Sequence, residues 1–361
     1  MSEVLHLRGP ILAGPDDVRA QAWVVDGVIA YAPPPGQHDV TSIAGWVLPG
    51  YVDAHCHVGL GPRGAVSDVE AEDQARTDRD HGTLLIRDAG SAADTRWIDE
   101  RDDLPKIIRA GRHIARTRRY IKNYGHEVDP DQLVSRVRAE ARAGDGWVKL
   151  VGDWIDRDAG DLTPCWPIAT LTEAVAAAHE EGARVTAHCF GQESLYDFAA
   201  AGTDCIEHAT GLEPETISQF ATQGIAIVPT LINISNFPDF AAAAGEKFPR
   251  YRDRMLDLHA RRHETIGAAH EAGVPIFVGT DAGGHIGHGL VPQEALELHR
   301  AGLSPVEVLG AATWQARQWL GRPGLDEGDP ADLVVLTSDP REDLRVLSDP
   351  AAIVLRGRRV R

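Results

Sequence analysis

Cysteine and lysine are both scarce in this chain of 361 residues. The four cysteines are far apart in sequence and include no C-x-x-C pair: Cys56, Cys165, Cys189 and Cys205. This spacing does not fit a disulfide framework, and packing is their expected role. The four lysines are Lys106, Lys122, Lys149 and Lys247, and every other basic residue is arginine. Because lysine is so rare in this chain, each lysine is considered as a residue with a specific role.

Long apolar runs are also missing. No stretch of 18 apolar residues occurs, which excludes a membrane-spanning helix. The first residues carry charges where a signal peptide would be apolar, so we expect a cytoplasmic protein. The net charge of −18 argues against nucleic acid or an anionic membrane as the main partner, because both attract basic surfaces. The expected partner is a small-molecule substrate, with a homo-oligomer as a further possibility.

The two ends of the chain have a similar sequence pattern. Short strand patterns separated by turns occur at residues 4–7, 21–25, 27–31 and 45–48, and again at 332–336 and 353–360. Two β-rich ends around a long middle predict one small β-sandwich domain, formed by residues 1–49 plus 330–361.

The middle of the chain, residues 50–329, alternates apolar β-branched runs with helix-like segments. Eight strands are predicted, at residues 51–57, 83–88, 106–110, 147–151, 184–189, 203–207, 225–229 and 275–280. Eight strands alternating with helices predict an α/β fold of the (β/α)8 TIM barrel type.

Two histidines close the first predicted barrel strand. His55 and His57 are two residues apart, so in a strand their side chains share one face, about 7 Å apart along the backbone. Both imidazoles can then reach one cation. The pair alone is weak evidence, since this spacing is common. Its place at the carboxyl end of a barrel strand, where active sites gather, strengthens it.

The same position at other strand ends is also occupied by ligand-type residues. Lys149 is a charge within the apolar fourth strand, His188 closes the fifth, His208 follows the sixth and Asp281 ends the eighth. Each alone would more often be an ordinary core or loop residue. Five strand ends that present such side chains toward one axis predict a metal centre.

These residues together resemble the amidohydrolase superfamily. The resemblance rests on residues 49–57 (PGYVDAHCH), the lysine, the two single histidines and residues 279–283 (GTDAG). Residues 311–313 and 328–336 are similar to the closing stretch of the imidazolonepropionase-like and prolidase-like members. The similarity covers essentially the whole chain.

The resemblance implies a binuclear centre of two divalent ions, usually Zn²⁺. His55, His57 and Asp281 would bind the first ion, and His188 and His208 the second. Lys149, carboxylated by CO₂, would bridge them; burial favours the neutral amine that this modification needs. A bridging hydroxide would attack a carbonyl carbon while Asp281 accepts and later delivers the proton.

The expected function is hydrolysis of an amide-like C–N bond in an N-acyl amino acid, a dipeptide or a cyclic amide. One alternative is a mononuclear deaminase or imidazolonepropionase-type ring hydrolase, although the family's mononuclear branch has no lysine at this place. Another is lactone or ester hydrolysis on the same centre. A relative that has lost its metals would show gaps in the ligand set, and none is visible.

Substrate contacts are harder to assign. His126 aligns with a substrate-binding histidine of prolidase-like relatives, but Tyr124 replaces a glycine of that segment. Further candidates are Tyr120, Thr230 and His285. The arginines of residues 112–126 are either a carboxylate-binding group or a solvated face. Residues 237–252 are either a lid or an oligomer contact.

Overall fold

The computed structural model describes residues 3–361, so the first two residues of the predicted β domain lie outside it. The strands, in chain order, are β1 Glu3–Leu12, β2 Val18–Val25, β3 Val28–Ala30, β4 Asp39–Ala44, β5 Trp46–Pro49, β6 Tyr51–Cys56, β7 Leu60–Gly61, β8 Gly64–Ala65, β9 Thr83–Asp88, β10 Lys106–Arg109, β11 Ile114–Arg116, β12 His126–Val128, β13 Trp147–Val151, β14 Asp153–Asp156, β15 Asp161–Pro164, β16 Arg184–Cys189, β17 Cys205–His208, β18 Ala226–Val228, β19 Leu333–Leu336, β20 Ala352–Leu355 and β21 Arg358–Arg359.

Eleven α-helices are found in the described residues. They are α1 Asp68–Asp80, α2 Leu133–Ala143, α3 Ile168–Glu180, α4 Gln192–Ala201, α5 Pro214–Gln223, α6 Leu231–Ile234, α7 Phe237–Ala244, α8 Pro249–Glu271, α9 Val291–Arg300, α10 Pro305–Ala312 and α11 Trp314–Trp319. Across residues 3–361, none of the helices combines the length and apolar character needed to cross a membrane.

Strands from both ends of the chain lie in one eight-stranded sheet. Its order is β21-β20-β19-β5-β1-β2-β3, with β4 also paired to β1. The C-terminal segment joins through β19, which pairs antiparallel with β5 so that Leu333 faces Pro49. Buried side chains from both ends, among them Leu7, Val47 and Val335, form a separate apolar cluster. The two ends therefore meet as expected, but a second sheet, which a sandwich requires, is not shown.

The middle of the chain is an α/β structure with parallel strands. One sheet has the order β10-β9-β6, and a second contains β12-β11-β13-β16-β17-β18. Most of the strands of this region have no exposed residue, as in β13, whose five residues are all buried. Burial on both faces explains their near-continuous β-branched and apolar sequences.

The segment after α8 connects the two sheets. Ile276 pairs with Ile227 of β18, and Ala282 pairs with Cys56 of β6, both in parallel. These two bridges are isolated, so the eighth predicted strand is not continuous. Pro275 lacks the N–H that a ladder needs, which explains part of the interruption. The order of the strands is consistent with the predicted barrel, although the hydrogen-bonded ladders do not form an uninterrupted ring.

Candidate metal centre and its cavity

His55, His57 and Asp281 converge at the carboxyl end of β6. The Nε2 atoms of His55 and His57 are 3.1 Å apart. Oδ1 of Asp281 lies 3.0 Å from the first of these atoms and 2.9 Å from the second. Both histidines are buried. Donors about 2.0–2.1 Å from one Zn²⁺ in a tetrahedral arrangement lie roughly 3.3 Å apart, so the spacing of these three atoms suits a common cation.

The outer nitrogen of each histidine is held by a neighbouring group. His57 Nδ1 lies 2.6 Å from the carbonyl oxygen of Gly90, to which it donates. His55 Nδ1 is 2.8 Å from Oε2 of Glu207. A proton held on Nδ1 leaves the lone pair of Nε2 directed toward the other donors, which is the usual arrangement of metal-binding histidines. The hydrogen bond to Gly90 orients the ring of His57, and the carboxylate of Glu207 lies beside the ring of His55.

Glu207 is a buried carboxylate that the sequence reasoning did not select. Besides His55, it accepts a hydrogen bond of 2.6 Å from Nη2 of Arg87 on β9, and neither side chain is exposed. Burial raises the pKa of Glu207, but Arg87, His55 and Lys149 lower it by more, so it lies well below the ordinary value. Both residues are charges within apolar strands. The test applied to Lys149 would have found them.

His188 and His208 form a second pair at the ends of β16 and β17. Nδ1 of His188 and Nε2 of His208 are 2.9 Å apart. The other nitrogen of His208 lies 2.7 Å from Oγ1 of Thr230. In the part of the chain described, Nε2 of His188 is buried without a hydrogen-bond partner. Burial, reinforced by Lys149, lowers the pKa of His188 to about 3, so its imidazole is neutral at physiological pH.

The two groups are neighbours, and Lys149 belongs beside them. One ligand atom from each of His55, His208 and Asp281 lies within 4.8 Å of the others. In the β13–β16 ladder Lys149 pairs with Thr186, and His188 belongs to the pair two positions further along. The side chains of Lys149 and His188 therefore lie on the same face of the sheet. Burial lowers the pKa of Lys149 and outweighs the opposing effect of nearby carboxylates. A larger neutral fraction of the amine follows.

The backbone is strained at three of these positions. His208, Thr230 and Asp281 have φ angles of 69°, 49° and 59°. Residues other than glycine rarely occupy this left-handed region, and each such residue costs about 1–3 kcal/mol. Strain of this kind persists only where the surrounding structure compensates, and it is concentrated at functional sites.

A cavity of about 500 Å³ opens onto the same residues. His57, His188 and Asp281 contribute to its wall. Six aromatic rings also line it: Tyr120, Tyr124, Trp154, Phe190, Phe240 and Tyr251. The polar side chains of its wall are Asn233, Asn236, Asp239 and His285, and among residues 3–361 no lysine or arginine lines it. The cavity is therefore largely apolar, with ligand-type groups at one end.

The candidate substrate contacts divide between this cavity and other places. Tyr120 and His285 line the cavity. Thr230 touches His208 instead, as described above. His126 is not in the cavity wall; its Nε2 lies 3.0 Å from Oε1 of Glu140. Asn233, which is not among these candidates, donates from Nδ2 to Oδ2 of Asp281 over 2.6 Å.

The arginines of residues 112–126 face away from the cavity. Arg116 donates to the carbonyl of Cys165. Arg119 donates to the carbonyls of Trp154 and Thr163 and pairs with a carboxylate on β14. These arginines line a different surface depression of about 910 Å³. Arg119 thus contacts the hairpin β14–β15, Arg116 contacts the residue that follows it, and Arg112 donates to the carbonyls of Asn123 and Tyr124 in its own loop.

The amidohydrolase family matches residues 46–360 of the sequence. The chain therefore belongs to the amidohydrolase family and is an enzyme that acts on carbon–nitrogen bonds. An uncharacterized protein of Mycobacterium tuberculosis is 53% identical over 355 residues, which cover 98% of this chain and 95% of that protein. Ochratoxinase from Aspergillus niger is 29% identical over 231 residues, which cover 62% of this chain and 47% of that protein.

Solved structures share the fold over nearly the whole chain. A Xaa-Pro dipeptidase with bound methionine has a TM-score of 0.83 at 22% identity and covers 99% of both chains. The structure of the A. niger ochratoxinase has a TM-score of 0.82 at 18% identity, covering 99% of this chain and 95% of that one. At these identities the likeness concerns the fold alone.

Proposed function

We propose that this enzyme hydrolyses an amide-like C–N bond at a binuclear metal centre. Zn²⁺ is the ion that we propose for this centre. The observation that carries the proposal is the convergence of His55, His57 and Asp281 on one point, with donor atoms 2.9–3.1 Å apart. These residues would bind one ion, and His188 and His208 the other. The finer fold we propose is a (β/α)8 barrel over residues 50–329 with the centre at its carboxyl end, and a small β domain from the two chain ends.

The donor set fits such a centre. Four imidazoles and one carboxylate supply the nitrogen and oxygen ligands that Zn²⁺ takes. Nδ1 of His188 and Nε2 of His208 lie 2.9 Å apart, so these two nitrogens are placed to share one ion. Lys149, if carboxylated, would add two oxygens beside both groups, and its lowered pKa favours the amine that reacts with CO₂.

Asp281 has two oxygens with different surroundings. Oδ1 faces the two histidines, whereas Oδ2 accepts the amide proton of Asn233 at the cavity wall. Metal ions, when bound, supply charge that acidifies water and polarises a carbonyl group. In the proposed reaction, Asp281 accepts the proton of the attacking water at Oδ2 and passes it to the leaving nitrogen. The surrounding rings exclude bulk water from this exchange.

The residues that line the cavity limit the classes of substrate that it suits. Six rings favour an aromatic or bulky apolar group, because such rings stack favourably against one another. A free carboxylate would normally be met by an arginine or lysine, and the cavity wall has neither. We therefore propose a neutral aromatic or cyclic amide ahead of a dipeptide or N-acyl amino acid. Ochratoxinase and Xaa-Pro dipeptidase, the named relatives, are the starting points for a substrate panel.

Matched substrates test this choice. The protein, reconstituted with Zn²⁺ and bicarbonate, is assayed on pairs that differ only in a carboxylate, such as N-acetylphenylalanine and its carboxamide, and on lactones and esters of the same shape. We expect the highest kcat/KM for the neutral aromatic amide. Preference for the acid would overturn the substrate proposal, and preference for the lactone would favour the ester-hydrolase alternative.

Substitution of the buried lysine tests the binuclear centre. Lys149→Ala removes the proposed bridge, so we expect turnover to be abolished and the proposed centre to hold fewer than two ions. Lys106→Ala, at the exposed start of β10, is the matched control and should keep both properties. A Lys149→Ala protein with two ions and full turnover would refute the bridging role. Full turnover with a single ion at this centre in the unaltered protein would favour the mononuclear alternative.

A further inference from the structure

A second group of ligand-type side chains lies on the other face of β6. Cys56, between His55 and His57, points away from them and toward α1. Its Sγ atom lies 3.8 Å from Oδ2 of Asp78 on α1 and 3.7 Å from Nδ1 of His288. Those two atoms are 2.8 Å apart. One sulfur, one oxygen and one nitrogen thus meet within 4.8 Å.

The three side chains are buried. Cys56 is fully buried, and the side chains of Asp78 and His288 are 1% and 6% exposed. The backbone N–H of Gly289 donates to Oδ1 of Asp78 over 2.8 Å, which leaves Oδ2 directed at the other two donors. Donors fixed in this way by a neighbouring group are typical of metal sites.

Further buried carboxyl groups lie near the three side chains. Two further buried carboxyl groups, those of Asp53 and Asp88, act electrostatically on both Cys56 and His288. Within residues 3–361, no arginine or lysine forms an ion pair with Asp53, Asp78 or Asp88, and Oδ2 of Asp88 is buried without a hydrogen-bond partner. Buried carboxylates are normally paired with cations or bound to metals. Among residues 3–361, His288 is the side chain with a basic nitrogen in contact with Asp78.

We propose that Cys56, Asp78 and His288 bind a thiophilic divalent cation such as Zn²⁺, at a site separate from the centre on the inner face of β6. Bonds of about 2.3 Å to sulfur and about 2.0–2.1 Å to nitrogen and oxygen give donor spacings of roughly 3.3–3.6 Å. The observed spacings of 2.8–3.8 Å are within half an ångström of these values. On binding, the thiol of Cys56 and Nδ1 of His288 each give up a proton to solvent, and His288 binds through Nδ1 with its remaining proton on Nε2.

The site would stabilise one wall of the active-site cavity. It joins β6, the last turn of α1 and the segment that follows Asp281. Residues 283–286 of that segment line the cavity, and His288 anchors its far end. A cation held there restrains the loop without touching substrate. The expected role is therefore structural, with an increase in melting temperature on metal binding.

Thiolate spectroscopy separates this site from the proposed catalytic centre, which contains no sulfur ligand. The full-length protein is stripped of metal and titrated with Cd²⁺ or Co²⁺ while the near-ultraviolet thiolate-to-metal charge-transfer band is recorded. We expect the unaltered protein to show the band. Cys56→Ser should lose the band and should bind one metal ion per chain fewer than the unaltered protein. Cys189→Ser is the matched control, since Cys189 is equally buried and also adjoins a proposed ligand, His188. It should retain the band.

Asp78→Asn provides a second variant that leaves the thiol in place. It should weaken the band at subsaturating metal and reduce the rise in melting temperature, whereas circular dichroism reports whether either variant is folded. Absence of a thiolate band in the folded unaltered protein, or a band that survives in Cys56→Ser, would overturn the proposal. Either result would leave the three residues as a hydrogen-bonded contact. The outcome does not depend on the hydrolytic reaction, because no substrate is used.

Discussion

Asn233 is the residue whose contact bears most directly on the proposed proton transfer. Its amide donates to Oδ2 of Asp281 over 2.6 Å, and donation to a carboxylate stabilises the ionised form. We expect Asn233→Ala to lower kcat by about 10–100-fold, the range typical of residues that orient a metal ligand. The acidic limb of the pH–rate profile should move to higher pH, because loss of the donor raises the pKa of Asp281.

A neighbouring asparagine supplies the control for this prediction. Asn236 also lines the cavity but makes no side-chain contact with Asp281 in the described structure. Asn236→Ala should leave the pH–rate profile in place, with at most a change in KM. An unchanged acidic limb in Asn233→Ala would show that its amide does not tune the carboxylate.

The sequence predicted candidate ligands better than the groups that orient them. His55, His57, His188, His208 and Asp281 stand at strand ends, and parallel strands bring their carboxyl ends to one edge. The partners of these residues lie far away in sequence: Glu207 contacts Arg87 across 120 positions. Such a pairing depends on which strands face each other across the interior, and strand order alone does not give that.

Helix α7 is the element that closes one side of the cavity. Phe237 is fully buried against Phe190, with ring centroids 4.7 Å apart, and this contact fixes the helix. Phe240 remains 39% exposed at the cavity wall. We expect Phe240→Ala to raise KM for an aromatic amide by about 2–10-fold, since an aromatic contact contributes about 0.5–1.5 kcal/mol. The melting temperature should change little, because the ring is partly exposed.

Tyr196 is a suitable control for this helix. It lies on α4, is 37% exposed and is not part of the cavity wall. Tyr196→Ala should leave KM unchanged. An equal KM in Phe240→Ala and the unaltered protein would mean that α7 does not contact the substrate.

Element boundaries were predictable where the pattern was strong. The run around Lys149 became β13 with the predicted bounds, residues 147–151. The segment 275–280 has an equally apolar sequence but forms only isolated bridges. Its conformation depends on Pro275 and on the left-handed backbone at Asp281, both of which interrupt regular pairing. Residues 112–126 were ambiguous because arginines that bind backbone carbonyls resemble solvated ones in sequence.

At the scale of the whole molecule, the joining of the chain ends was predictable from their shared texture, but the sheet they form was not. β1 pairs in parallel with β4 along residues 3–8 and with β5 at Ile11. Along one edge β1 therefore has two parallel partners in succession, and its antiparallel pairing with β2 along the other edge shifts register between Arg8 and Ile11. Gly9, at φ 137°, has no room for a side chain beside Gly45. The parallel partner of β1 changes where the backbones of Gly9 and Gly45 come close together. Such a change does not alter the alternation of apolar and polar residues, so the sequence pattern does not reveal it.

The acidic character of the chain extends into its interior, and this predicts how stability depends on pH. Burial raises the pKa of Glu294 to about 8, although two backbone N–H groups of α6 partly oppose the shift. In the unfolded chain the same group titrates near 4.5. The folded state binds more protons between these values, so the free energy of unfolding should fall as the pH rises from about 4.5 to about 8.

Urea unfolding across this window should show a shallower fall in Glu294→Gln, which cannot ionise, than in the unaltered protein. Glu173→Gln, on the exposed face of α3, should keep the original slope. Identical slopes in all three proteins would mean that Glu294 does not titrate with a raised pKa.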